Sequence, residues 1–304
     1  MKMRLSAFIG TVLGLSVFCS CSREDVVLPD AQADGRIVFG LETGTLADVA
    51  TKAVTESTDA SVKSQGFKVA AVGSANDVIF NEKVSYASSK DWYATATPYY
   101  WPSSGSLSFY AAYPSGQSIT VTAGSASLSY TDDRNTDLIA AKAVGVEKPA
   151  TAQPVALAFD HILSQVNINA KGAVDDGLTF RVKSISIEAP GSGTYAYASG
   201  TWSPAAGATK GFYTGPKDIA GTTLTPLGES QTVLPGSIII KVTYDVLSGS
   251  SVILSFTDKS VLVNVSMGKK STVNLTLPSS GASQLSFTVS VSPWGSEEHD
   301  VTLS

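Results

Sequence analysis

The chain has 304 residues, a formal net charge of -5 and a charged fraction of only 15%. This length favours two domains, each long enough to bury a core of its own. The negative charge and the scattered Lys and Arg side chains leave no basic stripe that could displace phosphate counterions, which argues against nucleic acid as a partner.

The N-terminus has the layout of a secretory signal. Lys2 and Arg4 precede an apolar run over residues 5–18, which is too short to span a bilayer. The only two cysteines, Cys19 and Cys21, come directly after this run. The segment that ends in Cys21 resembles a lipobox, so we predict that Cys21 becomes the acylated first residue of a lipoprotein. An ordinary signal peptide with incidental cysteines is the alternative.

The predicted lipoprotein has a signal peptide over residues 1–20 and a flexible tether over residues 21–35. Acyl chains on Cys21 would anchor it in the outer membrane, since each buried methylene contributes roughly 0.8 kcal/mol. The charged stretch after Cys21 resembles short signals that send lipoproteins to the outer face of that membrane. Because both cysteines stand at the N-terminus, we expect no disulfide framework and no cysteine-ligated metal in the folded part.

A first strand is predicted over residues 36–42, where Ile37, Phe39 and Leu41 share one parity. The next segment is different because its apolar residues follow helical spacing, which predicts a short helix within residues 45–53. Lys52 is the only basic residue between the first strand and residue 62.

Seven short strands are predicted between residues 66 and 148, separated by turns rich in Ser, Gly, Pro and Asn. They lie near residues 67–72, 77–80, 92–95, 107–113, 119–122, 126–130 and 137–143. This regular spacing is typical of a β-sandwich. We therefore assign residues 36–150 to an N-terminal sandwich.

Aromatic residues cluster in this N-terminal half. Tyr99, Tyr100 and Trp101 stand between two prolines, and Trp92 precedes them. Such rings could form an exposed platform that stacks on sugars, although they more often plug the end of a sandwich. Both interpretations stay open at this point.

A linker is predicted over residues 144–154, which carry two prolines and no apolar periodicity. A long strand over residues 155–171 follows, and a shift of its apolar parity predicts a bulge near residues 164–165. Further strands with one buried face are predicted over residues 238–246, 252–256, 261–265, 273–277 and 285–291. The chain is therefore expected to be all-β, with a second sandwich over residues 151–304.

Little in the sequence indicates catalysis. His161 and His299 are the only histidines, which is too few for an imidazole-based triad, and His161 is expected to be a hydrogen-bonded core residue. Asp133, Asn135 and Asp137 have the spacing of calcium ligands, but the glycine and the closing glutamate of a calcium loop are missing. We expect no enzyme activity, no metal and no cofactor.

Short motifs spread along the chain resemble those of the fimbrillin-like family. PheAspHisIleLeuSerGlnVal at 159–166 is similar to the family signature Phe-x-His-x-Leu-x-x-Val. Further similar stretches follow the family's order, at residues 109–114, 137–141, 195–202, 234–236, 268–277 and 291–294. The resemblance covers residues 35–294, and it implies a lipoprotein precursor of surface pili built from two tandem transthyretin-like or Greek-key β-sandwiches.

The resemblance also implies a mode of assembly. In this family a trypsin-like protease cuts the loop after the first strand, and a strand from the next subunit takes the place of the strand that leaves. Here the removable strand would carry Ile37, Phe39 and Leu41, and Lys52 is the candidate cleavage site. A lysine departs from the family pattern, in which the protease is usually arginine-specific.

The donor strand is expected within residues 285–304, with candidates Leu285, Phe287, Val289, Val291, Val301 and Leu303. Residues 285–291 also fit the last strand of their own domain, so a stalk, tip or anchor subunit stays open. The implied partners are other pilin subunits, the maturation protease and the outer membrane. The alternative function is that of a non-polymerising surface lipoprotein that binds glycans through Trp92, Tyr99, Tyr100 and Trp101.

Overall fold

The structure, a computed structural model, describes residues 35–42, 57–174, 177–280 and 284–294. These residues form twenty β-strands and one short helix, which confirms the all-β class. No helix within the described ranges is long and apolar enough to cross a membrane.

The helix and the first ten strands precede residue 162. The helix is α1 (Asp59–Gln65). In chain order the strands are β1 (Phe39–Leu41), β2 (Phe67–Gly73), β3 (Val78–Ala87), β4 (Trp92–Thr95), β5 (Ser106–Tyr113), β6 (Ser118–Thr122), β7 (Ser125–Thr131), β8 (Ile139–Glu147), β9 (Val155–Leu157) and β10 (Asp160–His161). All seven strands predicted between residues 66 and 148 are therefore present, with ends that differ by a few residues.

The other ten strands follow residue 163. They are β11 (Ser164–Gly172), β12 (Leu178–Pro190), β13 (Ser192–Ala196), β14 (Thr201–Pro204), β15 (Gly207–Ala220), β16 (Thr225–Val233), β17 (Gly236–Ser248), β18 (Ser251–Val265), β19 (Lys269–Leu277) and β20 (Ser286–Pro293). The apolar sets predicted beyond residue 236 lie in these strands, except that Leu285 precedes β20. The two strands predicted over residues 252–256 and 261–265 are one strand, β18, in which Val252 and Leu254 are exposed and not buried as predicted.

An eight-stranded sheet forms most of the N-terminal half. Its order is β10-β8-β5-β2-β3-β4-β1-β9, and it curls so that β9 approaches β8. Alternate residues of a strand point to one face, and here that face encloses an aromatic core of Phe39, Phe67, Phe80, Phe109 and Phe159. The first strand is thus a part of the wall around this core.

A second sheet packs on the outer face of β2, β5 and β8. Its order is β14-β13-β7-β6, so the hairpin of β13 and β14 from the second half completes a layer begun by β6 and β7. The buried Tyr197 hydroxyl donates to the Ala111 carbonyl at 2.8 Å, and Trp202 Nε1 donates to the Ile162 carbonyl at 2.6 Å. The two halves of the chain therefore share one apolar core.

The C-terminal half is a sandwich of two four-stranded sheets. One has the order β16-β11-β19-β20 and the other β15-β12-β17-β18. The predicted inward residues of β17 from Ile238 to Val246 are fully buried between them. Strands β16, β20, β15 and β18 are the sheet edges, which matters below because edge strands leave backbone groups free to pair.

The long strand predicted over residues 155–171 is wrong. The segment is divided among β9, β10 and β11, and β11 belongs to a different sheet from the other two. Ile162 and Leu163 are buried in the shared core where the chain passes between the sheets. The parity shift thus marks a crossing between sheets, and the irregular register within β11 lies between Val166 and Ile168.

The boundary predicted at residue 150 does not coincide with a division between sheets. Strands β9 and β10 follow it and yet pair with β1 and β8, and β13 pairs with β7. A cut at residue 150 would therefore remove four strands from the two sheets of the N-terminal half.

A buried ion pair lies where the halves meet. Asp132 Oδ2 is 2.8 Å from Arg134 Nε, and both side chains are almost fully enclosed. Arg134 also donates to the Ile187 carbonyl of β12 at 3.2 Å, and its own carbonyl accepts from the Thr232 amide at 2.9 Å. Burial raises the pKa of Asp132 and lowers the pKa of Arg134, while their mutual attraction opposes both shifts.

Candidate functional site

The first strand has backbone partners on both sides. Strand β1 pairs in antiparallel fashion with β4 and in parallel fashion with β9. The Ile37 amide donates to the Tyr99 carbonyl at 2.8 Å, and the Val155 amide donates to the Val38 carbonyl at 2.8 Å. An interior strand of this kind leaves a slot with two unpaired edges when it is removed.

The side chains of the first strand fill the aromatic core. Ile37 and Phe39 are buried and Leu41 is half-buried. The Phe39 ring lies edge-on to Phe109 at 5.3 Å and to Phe67 and Phe80 at 6.4 Å. Each large apolar side chain that is fully buried stabilises the fold by roughly 1.5 to 3 kcal/mol. The slot beneath the strand is therefore strongly apolar.

The opposite face of the strand is covered as well. Val38 is buried against Trp92 on the outer face of the sheet. Arg36, one residue before Ile37, donates from Nη2 to the Thr95 carbonyl at 3.0 Å. These contacts place the residues of the strand alternately in the core and on the outer sheet face.

The chain that follows the first strand is anchored where it returns. Residues 43–56, with the candidate cleavage site Lys52 and the predicted helix, lie outside the described residues. At Ser57 the amide donates to Asp137 Oδ2 at 2.7 Å, and the hydroxyl donates to the Asp137 carbonyl at 3.0 Å. Thr58 and Ser61 then form a capping box at the start of α1. A helix at residues 59–65 was not predicted.

His161 connects the Asp137 carboxylate to Trp294, the residue directly after β20. Its Nδ1 atom lies 2.9 Å from Asp137 Oδ1, and its ring stacks on Trp294 with 4.6 Å between centroids. His161 is thus hydrogen-bonded as predicted, and its partner is a carboxylate. Asp137 is therefore committed to Ser57 and His161, and it does not face a shared cation site with Asp133.

The calcium-like spacing has a local structural explanation. Asp133 accepts hydrogen bonds from the amides of Asn135 and Thr136, at 2.9 and 2.8 Å, and so closes a tight turn. Burial opposes ionisation of Asp133, but hydrogen bonds from the Thr136 hydroxyl and from these two amides outweigh it, so the pKa of Asp133 is lowered. Within the described ranges no group of three or more potential metal ligands converges.

Strand β20 is an edge strand with β19 as its neighbour. Val289 lies opposite Val273 and Phe287 lies opposite Leu275, so both share the inward face of the sheet. Even so, Phe287 is 36% exposed and Val291 is 43% exposed, while Leu285 and Val289 are half-buried. The donor candidates within the described residues are therefore only partly buried in their own sheet. Val301 and Leu303 lie outside the described residues.

The four aromatics proposed as a glycan platform do not form one exposed surface. Trp92 and Trp101 are buried, and Tyr99 is half-buried with its hydroxyl donating to Glu82 at 2.6 Å. Tyr100 is the exception, with 52% of its surface exposed. Sequence could not separate these cases, because ring type alone does not show which face a strand turns to the core.

The amino-acid sequence matches the model of a protein family described as fimbrillin-like over residues 37–294. No curated protein matches the chain. Among solved structures, a fimbrial protein from Bacteroides vulgatus is similar, with a TM-score of 0.62 and 18% identity over 85% of this chain and 99% of that one.

Two further solved structures show the same fold. A candidate cell adhesion protein from Parabacteroides distasonis has a TM-score of 0.53 and 8% identity, over 87% of this chain and 98% of that one. Another from Bacteroides eggerthii has a TM-score of 0.52 and 12% identity, over 86% and 96%. At these identities the likeness concerns the fold alone.

Proposed function

Because this chain belongs to the fimbrillin-like family, we propose that it is a structural subunit of a cell-surface fimbrium that serves adhesion. It carries out no enzymatic reaction. The precursor is exported as a lipoprotein, acylated on Cys21 and held in the outer membrane until it is processed. Residues 21–35, which begin with the acylated cysteine, then serve as the tether to the first strand.

The burial of the first strand is the observation that carries this proposal. Strand β1 is hydrogen-bonded on both sides, and Phe39, its first residue, is fully buried with three aromatic rings around it. A trypsin-like protease that cuts after Lys52 leaves this strand attached only by non-covalent contacts. Its departure exposes an apolar slot with two unpaired strand edges, which another strand can fill.

Anchoring of the chain at Ser57 supports a cut within residues 43–56. The two hydrogen bonds between Ser57 and Asp137 and the capping box of α1 hold the chain on the far side of the cut. Cleavage therefore releases the strand without loosening the body of the subunit. The cleaved chain keeps the seven remaining strands of the eight-stranded sheet.

The exposure of β20 supports a C-terminal donor. Phe287 and Val291 are partly exposed on an edge strand, whereas Ile37 and Phe39 are enclosed in the slot that they occupy. Apolar surface gains about 25 cal/mol for each Å² removed from water. Moving partly exposed side chains into an enclosed slot is therefore favourable, and residues 285–304 are the donor segment that we propose.

A processing experiment tests the proposal. The purified chain is treated with a trypsin-like protease, and oligomers are separated on a gel without heating. We expect ladders from the wild type and none from a Lys52→Ala variant, in which mass spectrometry shows an uncut loop. A variant that ends at Trp294 should form no ladder alone but should cap wild-type ladders.

Two results would overturn parts of this proposal: the first counts against assembly by strand exchange, and the second counts against the C-terminal tail as the donor. The first is an equal ladder from uncut Lys52→Ala protein, because its slot stays filled. The second is an unchanged ladder from the truncated variant, which would remove residues 295–304 as a donor and leave only β20 to fill that role.

A further inference from the structure

A basic depression lies on the outer sheet face beside the first strand. It has a volume of about 660 Å³ and a floor of small residues from β3 and β4. The described residues that line it include three cationic side chains and no carboxylate; the cations are Arg36, Lys83 and Lys90. This local surplus of positive charge contrasts with the net charge of -5 of the whole chain.

The charges around the depression are arranged so that its positive potential persists. The Lys90 ammonium lies 5.2 Å from the centre of the Trp92 ring, a contact that leaves its charge in place. The neighbouring carboxylate of Asp91 accepts from the Tyr86 hydroxyl at 2.5 Å and lies 3.9 Å from Lys63. Asp91 is therefore occupied by groups other than the three cations.

One of the three cations belongs to the removable segment. Arg36 directly precedes Ile37 and would leave together with the first strand, whereas Lys83 on β3 and Lys90 in the turn before β4 would stay. The processed subunit thus keeps two positive charges beside the open slot. Arg36 has the same sign of charge as the two lysines that would stay.

The C-terminal sequence has the complementary pattern. Residues 297–300 include three carboxylates, and Val301 and Leu303 follow with strand alternation. An incoming strand can run in the same direction as the first strand, with Val301 in the place of Ile37 and Leu303 in the place of Phe39. Asp300 then takes the place of Arg36. A shift by one residue would instead turn Asp300 into the apolar slot, which is costly.

We propose that residues 295–304 of a second copy dock in the vacated slot with Asp300 against Lys83 and Lys90. Charge complementarity at this depression then fixes the direction and register of the incoming strand. This inference rests on the proposed function and adds to it the selection of one register. The exchange replaces the positive charge of Arg36 by the negative charge of Asp300, at the same position on the sheet beside the two lysines.

The test uses one variant as donor and one as acceptor. The donor is the full chain with Lys52→Ala, which keeps its own strand and cannot accept another. The acceptor ends at Trp294 and is processed until mass spectrometry shows loss of the strand fragment. We expect Asp300→Lys in the donor to weaken binding, measured by calorimetry at low salt, by roughly 5- to 20-fold.

A charge exchange gives the stronger readout. The acceptor with Lys83→Glu and Lys90→Glu should bind the Asp300→Lys donor at least as tightly as the wild-type acceptor does, and should bind the unaltered donor weakly. All of these differences should vanish near 1 M salt, where the Debye length is about 3 Å. Matched controls with the same change in charge, Glu229→Lys in the donor and Lys217→Glu in the acceptor, should bind within two-fold of the unaltered pair.

The outcomes separate this inference from the function on which it rests. If the unaltered pair binds and Asp300→Lys binds equally well, or if the charge exchange restores nothing, charge does not set the register and the inference is overturned while strand exchange stands. If the unaltered donor and acceptor do not bind at all, strand exchange by the C-terminal tail is refuted and the inference falls with it.

Discussion

Replacement of Phe39 by alanine tests the role of the first strand most directly. The Phe39 side chain is 0% exposed, and its ring contacts Phe109 at 5.3 Å and two further rings at 6.4 Å. A buried Phe→Ala change costs about 3 to 5 kcal/mol, because transfer energy is lost and a cavity is left. We expect a loss of about 4 kcal/mol in the free energy of unfolding of the intact chain.

Urea unfolding followed by tryptophan fluorescence measures this loss, since Trp92 and Trp101 report on the same half of the protein. The matched control is Leu262→Ala on β18, where the side chain is 60% exposed and the expected change is below about 0.5 kcal/mol. A loss below about 1 kcal/mol for Phe39→Ala would refute the conclusion that this strand holds the core together.

The same substitution distinguishes the precursor from the assembled form. Under the proposed strand exchange, the strand that carries Phe39 leaves after processing, so polymers made from Phe39→Ala protein should be as resistant to urea as wild-type polymers. Faster polymerisation is also expected, because a weakened strand leaves its slot sooner. Polymers that retain the full destabilisation would show that the strand is never replaced.

Three other predictions concern the fold. A fragment that ends at residue 150 lacks β9, β10, β13 and β14 and should show no cooperative urea transition, whereas the whole chain should. Asp132→Asn leaves Arg134 buried without its counter-charge and should cost about 3 to 5 kcal/mol in urea unfolding, against at most about 1 kcal/mol for Asp218→Asn, whose pair with Arg181 is exposed. Burial raises the pKa of four tyrosines, Tyr93, Tyr130, Tyr197 and Tyr244. Their contribution to the stability of the fold is therefore complete below pH 10 and is lost as the pH rises above it. Absorbance at 295 nm should show these four side chains ionising only when the protein unfolds.

Apolar alternation was sufficient to predict most of the strands and their buried faces. Ile238, Ile240 and Val242 share one parity and are all fully buried in β17. This success has a simple cause, since a strand with one dry face needs apolar side chains at every second position. Residue patterns of this kind are local, and they persist whichever strand becomes the neighbour.

The partner of each strand could not be predicted in the same way. Val155 to Leu157 pair in parallel with the first strand, but nothing in either segment specifies the other. The parity shift near Leu163 was visible in the sequence, yet a bulge and a crossing between sheets both produce such a shift. Only the burial of Ile162 and Leu163 in the shared core decides between them.

The candidate site was predictable in part for the same reason. The three apolar residues of the first strand were evident from their spacing, whereas the hydrogen bonds of Asp137 to Ser57 and His161 join segments far apart in sequence. The basic depression was not predicted either, because Arg36, Lys83 and Lys90 come together only when β1, β3 and β4 are neighbours.

The pairing of Phe39 with Val155 has a consequence for the order in which the protein can form. A chain that emerges from its N-terminus presents the first strand long before the segment that will lie beside it, and the hairpin at residues 192–204 comes later still. The amino-terminal half therefore cannot be completed while the rest of the chain is still being made or exported. Contacts so distant in sequence close slowly, and until then the Phe39 side chain is open to unrelated neighbours.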